Sequence, residues 1–413
     1  MNPAEWKIEH SCPQCGAPMA FGEMDSLLAC AYCRTRFQLS RDRPPMYYIP
    51  APDPGIKGLF YAPYWRFRGM IFKCPPYKIV FNMLDASILA GGPPELPGSL
   101  GVRPQALKLK ILSPASPGCF LPPDFDRKTA LEKIQDRLVS LGVWPAEEKT
   151  FLKEYIGETA SLIYAPFYSD HNKFFDALLG KPLAEIGPGG PGGGSPGLNP
   201  SGQIHFLPAL CPNCGGDLKG GQKSLIVFCR NCRTAWESGP HGFLRRPYLL
   251  LEGPDRPDVH LPFWRIKAEV KGLELKTFAD LIRIANLPKV VQPEMKGWDW
   301  FFFTPAFSLP GTLFLRMARN ATVSQPHRYE EGQTPKNAAD ASISAGEAAR
   351  SLKIVLANLI VAKRIVFPRL PEVVMATREA VLVYIPFRIM GPELVNQGLQ
   401  LSVNREVVTR TPQ

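Results

Sequence analysis

Cys12-Pro13-Gln14-Cys15-Gly16 and, after a short run of chain, Cys30-Ala31-Tyr32-Cys33-Arg34-Thr35 form the stretch on which the reading of this chain turns. A Cys-x-x-Cys turn brings two thiolates to one metal ion, and a second such turn supplies the other two. Four sulfur ligands at tetrahedral geometry favour zinc, and a shell filled by Cys alone favours a structural site over a catalytic one. The quartet returns as Cys211, Cys214, Cys229 and Cys232, each displaced by 199 residues. The chain therefore reads as two copies of a unit that opens with a metal site, and the expected cofactor is two structural zinc ions per chain.

The repetition continues beyond the cysteines. Pro63-Tyr64-Trp65-Arg66 returns as Pro262-Phe263-Trp264-Arg265, again 199 residues on, and Leu162-Ile163-Tyr164-Ala165-Pro166-Phe167 as Leu382-Val383-Tyr384-Ile385-Pro386-Phe387. Val143-Trp144-Pro145 is echoed by Val366-Phe367-Pro368, and Ser113-Pro114-Ala115 by Thr304-Pro305-Ala306. The period is too long for a solenoid and implies a duplicated module. Ala20-Phe21 and Ser26–Ala29 read as two short strands joined near Gly22. The alternation over Tyr61–Phe72 predicts a strand with one buried face, and Tyr77–Leu84 a returning strand. Thr129–Leu141 predicts an amphipathic helix, with Leu131, Ile134, Leu138 and Leu141 on one face. Ala160–Tyr168 predicts a strand that turns at Asp170-His171-Asn172-Lys173. In the second half, Trp298–Phe303 predicts a buried strand and Ser344–Lys363 a helix. Residues 187–203 hold eight Gly and four Pro, and predict a flexible linker that leaves the halves free in relative pose. The expected fold class is α+β with an internal duplication. Ribbons at 1–45 and 204–245 each precede a mixed domain, at 46–186 and 246–413, with an antiparallel sheet and one long helix.

At 413 residues, 45% apolar and 21% charged, the composition is that of a soluble globular protein of more than one domain. Eight of the ten cysteines sit in the quartets, which fits metal ligation better than a disulfide scaffold. Met1–His10 shows no basic region followed by an apolar core, and the apolar run Ile354–Ala362 stops at Lys363. The expectation is a cytoplasmic protein without a transmembrane segment. The net charge of +11 is uneven: residues 1–186 hold 21 Lys and Arg against 19 Asp and Glu, and residues 187–413 hold 27 against 18. A polyanionic partner, if there is one, is read by the second half.

The two quartets, with Pro13 and Gly16 in one and Pro212 and Gly215 in the other, resemble the zinc-ribbon family and its rubredoxin-like knuckle. The resemblance covers the ribbons alone. It implies a small rigid β unit of the kind used in transcription, replication and ribosomal proteins and in larger assemblies. The Pro-aromatic-Trp strand after each ribbon is similar to a pattern in poorly characterised bacterial zinc-ribbon proteins, which implies no activity. Rubredoxin-like iron is the second metal reading, since four thiolates hold it as well. A thioredoxin-like redox pair ranks third, because it uses one Cys-x-x-Cys at a helix start.

Arg34, Arg36, Arg230, Arg233, Arg245 and Arg246 cluster around the second knuckles. Arg34 and Arg233 directly follow the last ligand and fit charge balance with the thiolates. Arg245, Arg246, Arg230 and Trp236 are the partner-binding candidates, as phosphate contacts and a stacking ring. Trp65 and Trp264 read as core residues, and Cys74 and Cys119 as inert. His10, His171, His205, His241, His260 and His327 form no ligand or acid–base spacing, and no nucleophile elbow or phosphate loop is present. The expectation is a protein that is not an enzyme and acts as a protein–protein adaptor or assembly scaffold. A nucleic-acid-binding protein using the basic second half, and an electron carrier, are the alternatives.

Overall fold

The computed structural model describes residues 6–41, 44–101, 107–145, 149–186, 204–239, 241–253, 257–288, 290–330, 334–335 and 337–409; the linker expected at 187–203 lies outside them. In chain order the first half forms β1 (Ile8–Ser11), β2 (Pro18–Phe21), β3 (Leu27–Ala29), β4 (Arg36–Arg41), β5 (Met46–Tyr48), β6 (Leu59–Lys73), β7 (Val80–Leu89), β8 (Leu109–Ile111), β9 (Cys119–Phe120), α1 (Arg127–Ser140), β10 (Lys153–Asp170), β11 (Lys173–Asp176) and β12 (Lys181–Glu185). The second half forms β13 (Ile204–Pro208), β14 (Leu218–Lys219), β15 (Ile226–Cys229), β16 (Thr234–Gly239), β17 (Gly242–Arg246), β18 (Tyr248–Leu251), β19 (Val259–Lys271), α2 (Phe278–Ile284), β20 (Phe302–Pro305), α3 (Gly311–Ser324), β21 (Tyr329–Glu330), α4 (Ala345–Leu359), β22 (Val374–Met390), β23 (Glu393–Asn396) and β24 (Leu401–Asn404). The fold is mixed α+β and rich in strands. β1, β2 and β5–β12 make a ten-stranded sheet and β18–β24 a seven-stranded one; β13-β4-β3 and β14-β15-β16-β17 are two smaller sheets. No helix among the described residues is long and apolar enough to cross a membrane.

The long strand pairs repeat residue for residue. Antiparallel pairing sets Trp65 of β6 opposite Leu162 of β10 and Pro63 opposite Tyr164. It sets Trp264 of β19 opposite Leu382 of β22 and Pro262 opposite Tyr384. β5 joins β10 in parallel just as β18 joins β22, each ending opposite the same Tyr. A slip of one residue in either pair turns its apolar set to the other face, so agreement of both registers supports an internal duplication. The indole N–H of Trp65 donates to Phe125 O at 3.0 Å, and that of Trp264 to Ile343 O at 2.8 Å. Each acceptor immediately precedes a helix N-cap: Asp126 accepts from Thr129 N, and Ser344 from Glu347 N. Both Trp are core residues, as the sequence suggests, and each also fixes where a long helix begins.

One landmark does not carry over. The counterpart of β8, antiparallel to β5, is β21, antiparallel to β18. Ser113 follows β8, whereas Thr304 lies in β20 beside β19. Ser/Thr-Pro-Ala suits turns and sheet edges alike, so its likeness in the two halves reports local chemistry and not place.

β6 is buried on both faces, where alternation predicts one. Trp65, Phe67 and Ile71 point into the core beneath α1; Phe60, Ala62 and Tyr64 point into a second core; Met70, Phe72 and Cys74 join the core of the second half. Arg66 interrupts the second face, and it is buried there because its guanidinium lies 4.3 Å over the Trp6 ring and pairs with Asp85 at 2.5 Å. Its counterpart Arg265 lies 4.4 Å over Phe301 and pairs with Glu379 at 3.1 Å. The halves therefore share one core instead of hanging free of each other: α4 packs against β10, and the Phe72 and Phe314 rings sit 6.2 Å apart. Three local expectations also change. β2 and β3 form but pair outward, with β1 and β4. α4 ends at Leu359, because Ile360 turns extended. The strand foreseen over Trp298–Phe303 starts only at Phe302; Trp298 is 51% exposed and stacks on Phe278.

Candidate metal centres

Each knuckle is a tight turn closed by its own backbone. Gly16 N donates to Cys12 O at 2.9 Å, Gly215 N to Cys211 O at 2.8 Å, and Arg34 N to Cys30 O at 3.0 Å. The turn requires a left-handed residue directly after the second Cys: Gly16 (φ 73°) and Gly215 (φ 71°) supply it freely, while Arg34 (φ 62°) and Arg233 (φ 56°) adopt it against their Cβ. The hairpins that follow set the two knuckles of each ribbon face to face.

This brings the sulfurs together. Cys12 and Cys33 Sγ lie 3.7 Å apart, as do Cys15 and Cys30; in the second ribbon Cys211 and Cys232 are at 3.5 Å, and Cys214 and Cys229 at 3.4 Å. All four sulfurs of each quartet fall within 4.8 Å of one another. A tetrahedron of sulfurs about 2.3 Å from one ion has edges of about 3.8 Å, so each quartet fits a single four-coordinate ion. The spacing is far beyond the S–S bond of about 2.05 Å in a disulfide. Cys12, Cys30, Cys211 and Cys229 are buried, Cys33 and Cys232 half-buried, and Cys15 and Cys214 exposed, so each centre has one face in the protein and one at the surface. Among the described residues these quartets are the groups of three or more His, Cys, Asp or Glu side chains close enough to share one ion. Cys74 is buried apart from them, its thiol pushed up to about 12 by burial.

A second layer, absent from the sequence reading, braces the sulfurs. Thr35 Oγ1 lies 3.3 Å from Cys33 Sγ, and Thr234 Oγ1 3.0 Å from Cys232 Sγ and 3.7 Å from Cys211 Sγ. The Thr35 hydroxyl holds the Cys33 thiol down to about 6, and the Thr234 hydroxyl, then Asn213, does the same for Cys232, again to about 6. The Trp236 indole N–H donates to Thr234 Oγ1 at 2.8 Å, which leaves the hydroxyl hydrogen free to point at sulfur. The repeat puts Phe37 in place of Trp236, so the first ribbon lacks this relay. Thr234→Val is therefore expected to weaken metal retention by about 10–100-fold in a chelator competition. Thr35→Val is expected to act less; equal effects of the two would remove the relay from the account. The signal was in the sequence, as Arg-Thr follows the last ligand in both copies.

The two ribbons touch at counterpart residues. Ser40 Oγ donates to Gly239 O and Ser238 Oγ to Leu39 O, both at 2.8 Å, and both pairs are separated by the repeat displacement of 199 residues. At these two pairs residues touch their own counterparts, while the strand pairing is one-sided: β13 joins β4, and β1 pairs with β2 and β8. β13, which opens the second ribbon, adds to β4 of the first; Gln222 Nε2 donates to Asp25 Oδ2 at 2.7 Å, and Gln38 Nε2 to Ser224 O at 3.0 Å.

The partner candidates separate. Arg230 and Arg245 are exposed; Arg246 is partly buried and paired with Glu237 at 2.5 Å. Trp236 is buried with Cys211 and Cys229, and offers no free ring face. The structure does not bring the four together as one surface: the indole braces a metal ligand and the Arg246 guanidinium is occupied. Comparison with protein-family models, with curated proteins and with solved structures returns no match, so the ribbons are known here by their cysteines and geometry alone.

Proposed function

We propose that this protein is a non-catalytic adaptor or assembly scaffold, in which two zinc ions lock a rigid ribbon pair that docks a protein partner. Closure of the shells supports this most: four thiolates at tetrahedral spacing leave no coordination position for water or substrate. Eight thiolates suit a reducing compartment such as the cytoplasm. Tyr32, Leu210 and Leu244 are exposed apolar side chains on the ribbons, the kind of surface that protein partners cover. A rubredoxin-like electron carrier needs iron in the same shells and is separated by metal analysis.

The nucleic-acid alternative draws on exposed Arg230 and Arg245 and on the net charge of +11, but burial of Trp236 removes its stacking ring. Titration of the protein with mixed-sequence DNA and RNA at low and high salt tests both readings. The adaptor reading expects no steeply salt-dependent binding; such binding, lost in Arg230→Ala/Arg245→Ala, replaces it with the alternative. A partner captured by the wild type should be lost in Tyr32→Ser/Leu210→Ser/Leu244→Ser with metal content unchanged.

A further inference from the structure

In the second ribbon β14 and β15 pair directly, with Lys219 opposite Phe228. Their counterparts 199 residues earlier, Ala20 of β2 and Ala29 of β3, do not pair with each other. Each of those strands ends its own sheet, and a groove of about 450 Å³ lies between them. Two Ala in place of Lys and Phe strip side-chain bulk from both walls. The first ribbon is open where the second is closed.

Both walls present unused main chain. Cys12 N donates to Ala17 O at 2.7 Å, and bonded rungs of an antiparallel pair alternate, so Met19 bonds His10 and Ala20 turns its N–H and C=O away from β1. By the same count from Cys30 N, which donates to Thr35 O at 2.9 Å, Leu28 bonds Phe37 and Ala29 turns away from β4. Ala20 and Ala29 are exposed and make no hydrogen bond on these outer edges among the described residues. The chain already docks on the start of the β3 edge: Ser26 N and Leu27 N donate to Gln222 O of the second ribbon, at 2.7 and 2.9 Å. The open part of that edge continues this interface. The groove also carries one sign of charge. Arg36, opposite Ala29 in the sheet, lines it with its guanidinium in no ion pair among the described residues, and none of the lining side chains is a carboxylate. The repeat has Ala235 in its place.

We propose that an extended segment of the protein partner enters this groove as a strand between β2 and β3, its main chain bonded to Ala20 and Ala29 and an acidic side chain on Arg36. A segment of about three or four residues spans about 10–13 Å, the length of those strands, and small or aliphatic side chains suit Met19 and Leu28 in the lining. The site rests on the adaptor reading and says where that partner docks. The test exposes the full, metal-loaded chain to a displayed library of random peptides, then measures the selected sequences as blocked synthetic peptides by calorimetry and amide hydrogen exchange. Selected peptides are expected to carry Asp or Glu, to bind at about 0.1 mM or tighter, and to slow exchange at Ala20 and Ala29. N-methylation of alternate peptide amides, Ala29→Phe and Arg36→Gln are each expected to weaken binding by about tenfold, with metal content unchanged in both variants. Arg36→Gln should also abolish the preference for Asp over Lys in the peptide. Absence of any binder below about 1 mM overturns the proposal, as does binding indifferent to N-methylation and to Ala29→Phe. A partner held by Ala29→Phe but lost in Tyr32→Ser/Leu210→Ser/Leu244→Ser overturns the groove and leaves the adaptor reading standing. Steeply salt-dependent nucleic-acid binding with no peptide binding overturns both.

Discussion

Replacing Cys12 with serine is expected to release the metal of the first ribbon and to loosen the second ribbon with it. Cys12 is 2% exposed and its sulfur closes the shell against Cys33 at 3.7 Å, where a serine hydroxyl is a poor substitute. Structural zinc contributes about 10–16 kcal/mol of apparent folding free energy in zinc-finger peptides, as much as the whole stability of an ordinary domain. Around the sulfurs themselves only a small apolar cluster, Phe37 with Cys12 and Cys30, adds to the metal in holding the knuckles together. The damage then passes to the second ribbon, because β4 carries β13 along five residue pairs and exchanges the two serine hydrogen bonds with β16. It is expected to stop at the large sheet, which holds β1 through β8 and whose core of Tyr64 and Phe167 takes in Ile8 and Phe21. In Cys12→Ser, hydrogen exchange should show lost protection in β4, β13 and β16, with β6, β10 and β22 retained, and the remaining metal should leave to a mild chelator. A second ribbon that keeps its metal and its protection at wild-type levels means the centres are independent.

Trp264→Ala is expected to lower stability by about 3–5 kcal/mol, the range for removing a large buried ring. Trp264 is 1% exposed, and its indole N–H holds Ile343 O, so truncation also leaves that carbonyl unpaired at the entrance to α4, a further cost of about 1 kcal/mol. α4 packs on β10 as well as on its own sheet, so the loss should register in both halves during urea unfolding. A drop below about 1 kcal/mol, or a change confined to the second half, places the indole outside the shared core.

The metal quartets were legible because a knuckle is a local object: two ligands, a turn and a glycine lie within five residues. The repeat was legible for the same reason, since Pro-aromatic-Trp-Arg is preserved along one strand. What joins distant strands was not. Met70 and Phe72 lie on the same face of β6 as Phe60 and Tyr64, yet they belong to a different core, and only the arrival of α3 and α4 makes that so. The charge of Arg66 is met by Trp6 and Asp85, which lie on two other segments of the chain. In sequence Trp236 has the look of a binding ring, because aromatic and basic residues crowd near it. Its indole instead turns inward to Thr234, a choice set by strand alternation in β16, where Trp236 and Thr234 share a face.

Two closed zinc shells are proposed to organise the ribbon pair. Elemental analysis of the purified full chain, with zinc-edge X-ray absorption on the same sample, tests it most directly. Two zinc ions per chain are expected, each with four sulfur neighbours at about 2.3 Å. One ion or none, nitrogen or oxygen in the shell, or iron with visible absorbance would contradict it.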